Sequence, residues 1–228
     1  MRPLVKASWP APKSVGVISS RADLRAGLRL RSPPDFFELR LDALVTDIDK
    51  AERAIPRLPA PLIITARHPL EGGANRLRAH ERRALLLRFL PYAAYVDIEL
   101  RSLRGFRRVL EAAQSSQIPV IISFHDFQNT PSQNQLRAKE SAASAAGAGI
   151  FKVASRTDGA AQLARLLAFF TGEQHPLPVS AMGIGKLGRA ARIALARSGS
   201  VLNYAHLGKA RIAGQLDLPS LRKSIWLR

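Results

Sequence analysis

The feature that most limits the fold of this chain is an alternation of short β-type runs with helix-compatible segments, sustained from end to end. The β-type runs are SVGVISS (14–20), FFELRLD (36–42), PLIITARH (61–68), YVDIEL (95–100), PVIISFHDF (119–127), IFKVASR (150–156), PLPVSAMG (176–183) and SVLNYAHL (200–207). Each is followed by a stretch of helical spacing, from RADLRAGLRLR after the first to LDLPSLRKSIWL after the last. Eight β-plus-helix units in 228 residues fit a compact (β/α)8 TIM barrel, an α/β fold, as a single catalytic domain over residues 1–228 with an irregular segment at 1–13. A doubly wound open sheet uses the same units and is the alternative, because periodicity does not distinguish a closed sheet from an open one.

Within the β runs, residues two apart share a face. Glu38, Arg40 and Asp42 fall on one face, as do Asp97 with Glu99, Thr65 with Arg67, and Ser123 with His125; Lys152 shares its face with Ala154, opposite Phe151 and Val153. In a barrel the apolar face lies under the helices and the other face points into the barrel, so these ionisable groups are expected to converge on the interior. Unpaired charges there cost several kcal/mol each, which calls for a mutually satisfied network at the strands' C-terminal ends, where barrel active sites lie.

The chain contains no cysteine, which excludes disulfides and thiolate chemistry. Neither His-x-x-x-His nor a paired His/carboxylate spacing on one element points to a metal. The remaining chemistry centres on Lys152. A lysine amine taken out of water among apolar neighbours, with cations nearby, attacks a ketone as the free base and forms a Schiff base; the protonated imine then acidifies the adjacent carbon. Of the five histidines, His125 alone lies on an inward face near a strand's C-terminal end with a carboxylate beside it, and it is the candidate general base.

Charge offers a competing function. With 35 Lys and Arg against 17 Asp and Glu, the formal net charge is +18, as in proteins that release counterions from nucleic acid. Aromatic residues make up only 6% of the chain and no helix-turn-helix, zinc-finger or RNP-like pattern is present, so no specific nucleic-acid partner is expected. The densest basic run, NRLRAHERRALLLRF (75–89), reads as an exposed helix with its arginines mainly on the solvent face. The N-terminus lacks the apolar core of a secretory signal and no stretch approaches ~20 apolar residues, so a soluble cytoplasmic protein is expected.

The motifs ELRLD, TARHPLEGG, VDIEL, SFHDF, FKVAS, MGIGKLGRAAR and AGQ occur in the order and approximate spacing of the type I 3-dehydroquinate dehydratases, over about residues 14–219. The chain thus resembles the Schiff-base enzymes that remove water from 3-dehydroquinate in the shikimate pathway of aromatic amino-acid biosynthesis. The resemblance implies a TIM barrel, usually a homodimer, with no cofactor and a small-molecule substrate. It assigns Lys152 to the imine, His125 to the proton transfers and Glu71 to positioning that histidine. It places Glu38, Arg40 and Arg67 against ring hydroxyls, Arg192 on the substrate carboxylate, Tyr204 and Gln215 in the closing wall, and Asp97, Glu99 and Met182 in support. The chain departs from the family pattern at Ala191, where serine is common, at Ile184, often methionine, and in the lid, where Ser-Ala-Pro-Gly-Gln becomes Arg211-Ile212-Ala213-Gly214-Gln215. Losing the proline predicts a looser lid. A class I aldolase-like barrel and a non-catalytic basic nucleic-acid-binding barrel are the alternatives.

Overall fold

A computed structural model describes residues 11–172 and 174–226. Its strands are β1 (Lys13–Ile18), β2 (Phe36–Arg40), β3 (Leu62–Thr65), β4 (Ala93–Glu99), β5 (Val120–Asp126), β6 (Ile150–Arg156), β7 (Val179–Ile184) and β8 (Leu202–His206). The helices are α1 (Arg21–Arg29), α2 (Leu41–Leu44), α3 (Ile48–Ala54), α4 (Ala79–Phe89), α5 (Arg107–Ser115), α6 (Gln133–Ala145), α7 (Ala160–Thr171), α8 (Gly188–Arg197) and α9 (Leu218–Trp226). Of the segment expected to be irregular, residues 1–10 lie outside the described residues, and Lys13 already belongs to β1. The second β run also ends sooner than its alternation suggests, because the chain turns helical at Leu41 and carries Asp42 into α2.

All strand pairing is parallel, in the order β7-β6-β5-β4-β3-β2-β1-β8. The two end strands, β7 and β8, meet across a seam closed largely by side chains. Val201 N donates to Val179 O (3.1 Å), Ser180 Oγ to Leu202 O (2.7 Å), and Ser200 Oγ accepts from Ala181 N (3.0 Å). Farther along, the Arg192 guanidinium spans the same seam, donating from Nε to Gly183 O (3.0 Å) and from Nη1 to Tyr204 O (3.3 Å). The sheet is therefore a nearly closed barrel.

The pleat divides the residues as expected. Outward positions such as Leu39, Ile64, Val96 and Ile98 pack with Leu86, Phe89 and Val109 of the surrounding helices, and Phe151 and Val153 pack with Leu136, Leu166 and Phe169. Inside, an apolar plug of Val15, Ile63, Ile121, Ile150 and Leu202 fills the N-terminal end. The inward positions above the plug carry charge. Local signals start the helices: Ser20 Oγ accepts from Asp23 N at the start of α1, and Ser132 with Gln135 forms a capping box at α6.

Helix α4 differs from its sequence reading. Arg82 points inward and is among the largest fully buried side chains. Its Nη2 bonds Glu99 and Ser102 Oγ (3.1 Å), its Nε bonds Ala66 O (2.7 Å), and its guanidinium lies 4.7 Å from the centre of the Phe106 ring. A buried ion pair thus fixes α4 to the end of β4. Removing one partner of such a pair costs roughly 3–5 kcal/mol. Arg82→Met is expected to lower the free energy of urea unfolding by about that amount, and a loss under roughly 1 kcal/mol would show that the pair does not pin the helix.

A second tight spot lies where β7 meets α8. A Cβ at Gly183 would sit 2.5 Å from both Ala191 Cβ and Thr157 Oγ1. Gly183→Ala is expected to cost about 1–3 kcal/mol by overpacking, read as a lower thermal midpoint. An unchanged midpoint would mean that the helix can withdraw freely.

Candidate active site

A cavity of about 300 Å³ opens at the C-terminal ends of the strands. Lys152, His125, Glu71, Glu38, Arg40, Arg67, Arg192, Tyr204, Gln215 and Met182 all line it. Asp97 and Glu99 are not part of the lining; both are buried, 1% exposed, and hold the cationic side chains in place.

Lys152 is 3% exposed. Its apolar neighbours in sequence face the helices, so its own surroundings are polar, contrary to the expectation of an amine among apolar groups. Nζ donates to Glu38 Oε1 (3.1 Å) and Asp97 Oδ2 (2.9 Å), and lies 3.8 Å from the centre of the Tyr204 ring. Asp97 also receives a bidentate pair from Arg67 (3.0 and 2.8 Å) and a hydrogen bond from Ser123 Oγ (2.6 Å). Burial alone would push the Asp97 carboxyl up, but the Arg67 and Lys152 charges hold it well below the usual carboxylate range. Arg67 Nη1 in turn reaches Glu99 Oε1 (3.3 Å) and Ser123 Oγ (2.5 Å). Against burial, which would lower it, Asp97, Glu99 and Glu38 keep the Arg67 guanidinium above its ordinary value.

His125 enters from β5 and is fixed by a carboxylate from the turn after β3. Glu71 Oε2 accepts from both His125 N and His125 Nδ1, each at 2.9 Å. The other carboxylate oxygen, Oε1, lies 3.1 Å from Arg101 Nε. Burial pushes Glu71 up to about 7, with the Glu99 charge adding to the effect against Arg67 and Arg101. Burial, followed by the Arg67 and Lys152 charges, drives His125 well below the ordinary imidazole value. The imidazole is therefore neutral, and an ionised Glu71 keeps the hydrogen on Nδ1, leaving Nε2 as a free base.

Arg192 stands apart electrically. It is 6% exposed and, among the described residues, no carboxylate pairs with it; burial lowers its pKa to about 10. Its two carbonyl contacts fix the guanidinium without neutralising it. Tyr204 Oη is also buried with no hydrogen-bond partner among the described residues, and burial, then the charges of Glu38 and Asp97, holds it well above its ordinary value. It is a neutral hydroxyl.

Several residues to which the sequence analysis gave no role in the site complete the arrangement. Asp42 is fully buried and organises the turn after β3: it takes the Arg40 guanidinium at 3.0 and 2.9 Å, and its carboxylate accepts from Arg67 N (3.0 Å) and Ala74 N (2.8 Å). Arg40 adds a bond to Gly72 O (3.0 Å). Thr65 Oγ1 adds a bond to Glu38 Oε1 (3.1 Å), Ser123 Oγ adds one to Asp97 Oδ1, and Arg82 takes the second oxygen of Glu99. The strand alternation contained a signal for Asp42, Thr65 and Ser123. For Arg101 there was none, since it lies in a 3-10 helix, Leu100–Phe106, directly after β4 and is exposed.

Two long-range hydrogen bonds reach the lid: Ala213 O accepts from Gly185 N (3.0 Å), and Arg211 Nη2 crosses to Ser19 O (3.2 Å) just past β1. No group of three or more His, Asp or Glu side chains among the described residues is arranged to hold a metal ion, and no described helix is long and apolar enough to cross a membrane.

The family model described as Type I 3-dehydroquinase matches residues 17–227. A 3-dehydroquinate dehydratase of Methanothermobacter thermautotrophicus is 33% identical over 202 residues, covering 88% of each chain. One from Thermococcus onnurineus is 30% identical over 214 residues, covering 92% of this chain and 96% of its own. Among solved structures, the 3-dehydroquinate dehydratase of Geobacillus kaustophilus superposes with a TM-score of 0.83 at 25% identity, over 95% of this chain and 93% of that one. With sequence and fold agreeing over nearly its whole length, the chain belongs to the type I 3-dehydroquinase family.

Proposed function

We propose that this chain is a hydro-lyase that converts 3-dehydroquinate to 3-dehydroshikimate and water through an imine on Lys152. The observation that carries this reading is the meeting, in one cavity, of a buried lysine, a neutral histidine held by a carboxylate, and a buried guanidinium with no counter-ion among the described residues. A cavity of about 300 Å³ suits a single six-membered ring with its substituents.

The substrate carboxylate binds Arg192, whose planar fork suits bidentate contact and is already oriented by Gly183 O and Tyr204 O. Glu38 and Arg40 face the ring hydroxyls. Arg67 acts mainly by fixing Asp97 and Glu99, since both its Nη atoms are already engaged. Tyr204 and Gln215 wall the ring, and Met182 supports it.

His125 takes a proton from the Lys152 ammonium, the amine adds to the C3 ketone, and the same proton leaves with the carbinolamine hydroxyl as water. The resulting iminium, cationic over the Tyr204 ring face, draws electrons from C2. His125 Nε2 removes the C2 proton to give the enamine. The enamine electrons then expel the C1 hydroxyl, which takes that proton and departs as water. A second water hydrolyses the conjugated imine, releasing 3-dehydroshikimate and the free lysine. The same reading carries a cytoplasmic homodimer, for which sedimentation at a single-barrel mass would be contrary evidence.

Two measurements test the chemistry. Borohydride added with 3-dehydroquinate is expected to leave the reduced substrate on the peptide containing Lys152, as a mass increase absent from Lys152→Met; labelling elsewhere, or none, would overturn the assignment. His125→Ala is expected to keep the trapped adduct while turnover, followed by the near-ultraviolet absorbance of the conjugated enone, falls by about 10²–10⁴-fold or more. Near-normal turnover would remove His125 from the mechanism.

A further inference from the structure

We infer that Arg101 is a positioning residue for this reaction, acting through Glu71: by holding one carboxylate oxygen, it keeps the other available to fix His125 with Nε2 open. The inference rests on the reading of His125 as the base. Arg101 lies just beyond β4, does not line the cavity, and its side chain is 43% exposed. Its one charged contact among the described residues is Nε to Glu71 Oε1 at 3.1 Å, while Oε2 serves His125. The carboxylate is therefore divided between a cation outside the cavity and the imidazole inside it.

The groups around this pair define what Arg101 adds. Glu71 faces His125 from β5, Arg101 and Glu99 from β4 and its continuation, and Arg67 from the end of β3. His125 further faces Lys152, Asp97 and Arg40. Arg67 already shares its charge among Asp97, Glu99 and Glu38. Among the described residues Arg101 pairs with no other acid, so its charge is directed at the ionised form of Glu71.

The protonation of the pair decides activity by a tautomer argument. With Glu71 ionised, Nδ1 donates to it and Nε2 is free to accept a proton. Adding one proton closes the base wherever it settles. On the imidazole it occupies Nε2 directly; on Glu71 the acid donates to Nδ1, and the imidazole's single hydrogen must move to Nε2. Glu71, raised by burial to about 7, places this transition near neutral pH, and activity rises as pH climbs through it. Arg101 lowers the transition, so removing the cation moves it to higher pH.

The test is the pH profile of kcat/KM with 3-dehydroquinate for the parent, Arg101→Leu and Arg101→Lys. In R101L the acid limb is expected to move up by roughly a few tenths to one pH unit, as for an exposed pair, with KM and the high-pH kcat unchanged. In R101K it should return toward the parent, and in the parent and R101K it should move up with added salt, which screens the pair. A coincident R101L profile, or a loss of kcat equal at every pH, would overturn the inference. The nitrogen resonances of the His125 ring, followed in 15N-labelled protein without substrate, should show the same shift in midpoint. Because that titration needs no turnover, its failure separates this inference from failure of the dehydratase reading, which inactivity of the parent on 3-dehydroquinate would show. If R101L does not fold, Arg101→Gln takes its place in both measurements.

Discussion

Charge can be buried at the C-terminal end of this barrel because Lys152, Arg67 and Arg82 each meet a carboxylate within hydrogen-bonding distance, and Glu38, Asp97 and Glu99 each serve at least one of them. An unpaired member would cost several kcal/mol, so none of the six is independent of the others. The arrangement also propagates outward. Arg82 carries it to α4, and Asp42 carries it to the turn that presents Glu71. The Lys152 amine is thereby held in one position before any ligand arrives, which on the proposed reading is the kind of preorganisation on which rate depends.

Arg192 breaks this balance. The paired network occupies one side of the cavity, whereas Arg192, across the β7–β8 seam, has carbonyl dipoles for partners and no neutralising acid. Structural and chemical roles coincide here. The guanidinium closes a seam that lacks a full ladder, and on the proposed reading the same contacts orient it toward the substrate carboxylate. In that reading the carboxylate completes the compensation that folding leaves unfinished, and it does so on the ring carbon that loses its hydroxyl.

The barrel was legible in the sequence because each strand's alternation encodes which face meets the helices. Phe151 and Val153 lie outside and Lys152 inside, as period two requires. The converging charges were legible for the same reason. What lay off the strands was harder to read. Arg82 looked like one more solvent arginine in a basic run, since helical spacing gives no sign that a carboxylate from β4 will meet it; its burial follows from tertiary pairing. Arg101 gave no periodic signal, and its contact with Glu71 exists only because two turns converge. The ties of the lid were equally out of reach, since Ala213 O and Arg211 bond to distant segments that local sequence does not name.

The high net charge has an internal counterpart. Among the described residues, Asp23, Glu38, Asp42, Glu71, Asp97, Glu99 and Glu140 are buried, seven acids, against four buried basic residues, Arg67, Arg82, Lys152 and Arg192. The chain has only 17 acidic residues for 35 basic ones, so building the interior draws on its scarce carboxylates and leaves the surface still more basic than the composition implies. A basic surface needs no nucleic-acid partner to account for it. It follows in part from an active site assembled out of carboxylates, and its field raises the local concentration of an anionic substrate around a cavity whose lining includes Arg192, a cation with no carboxylate partner among the described residues.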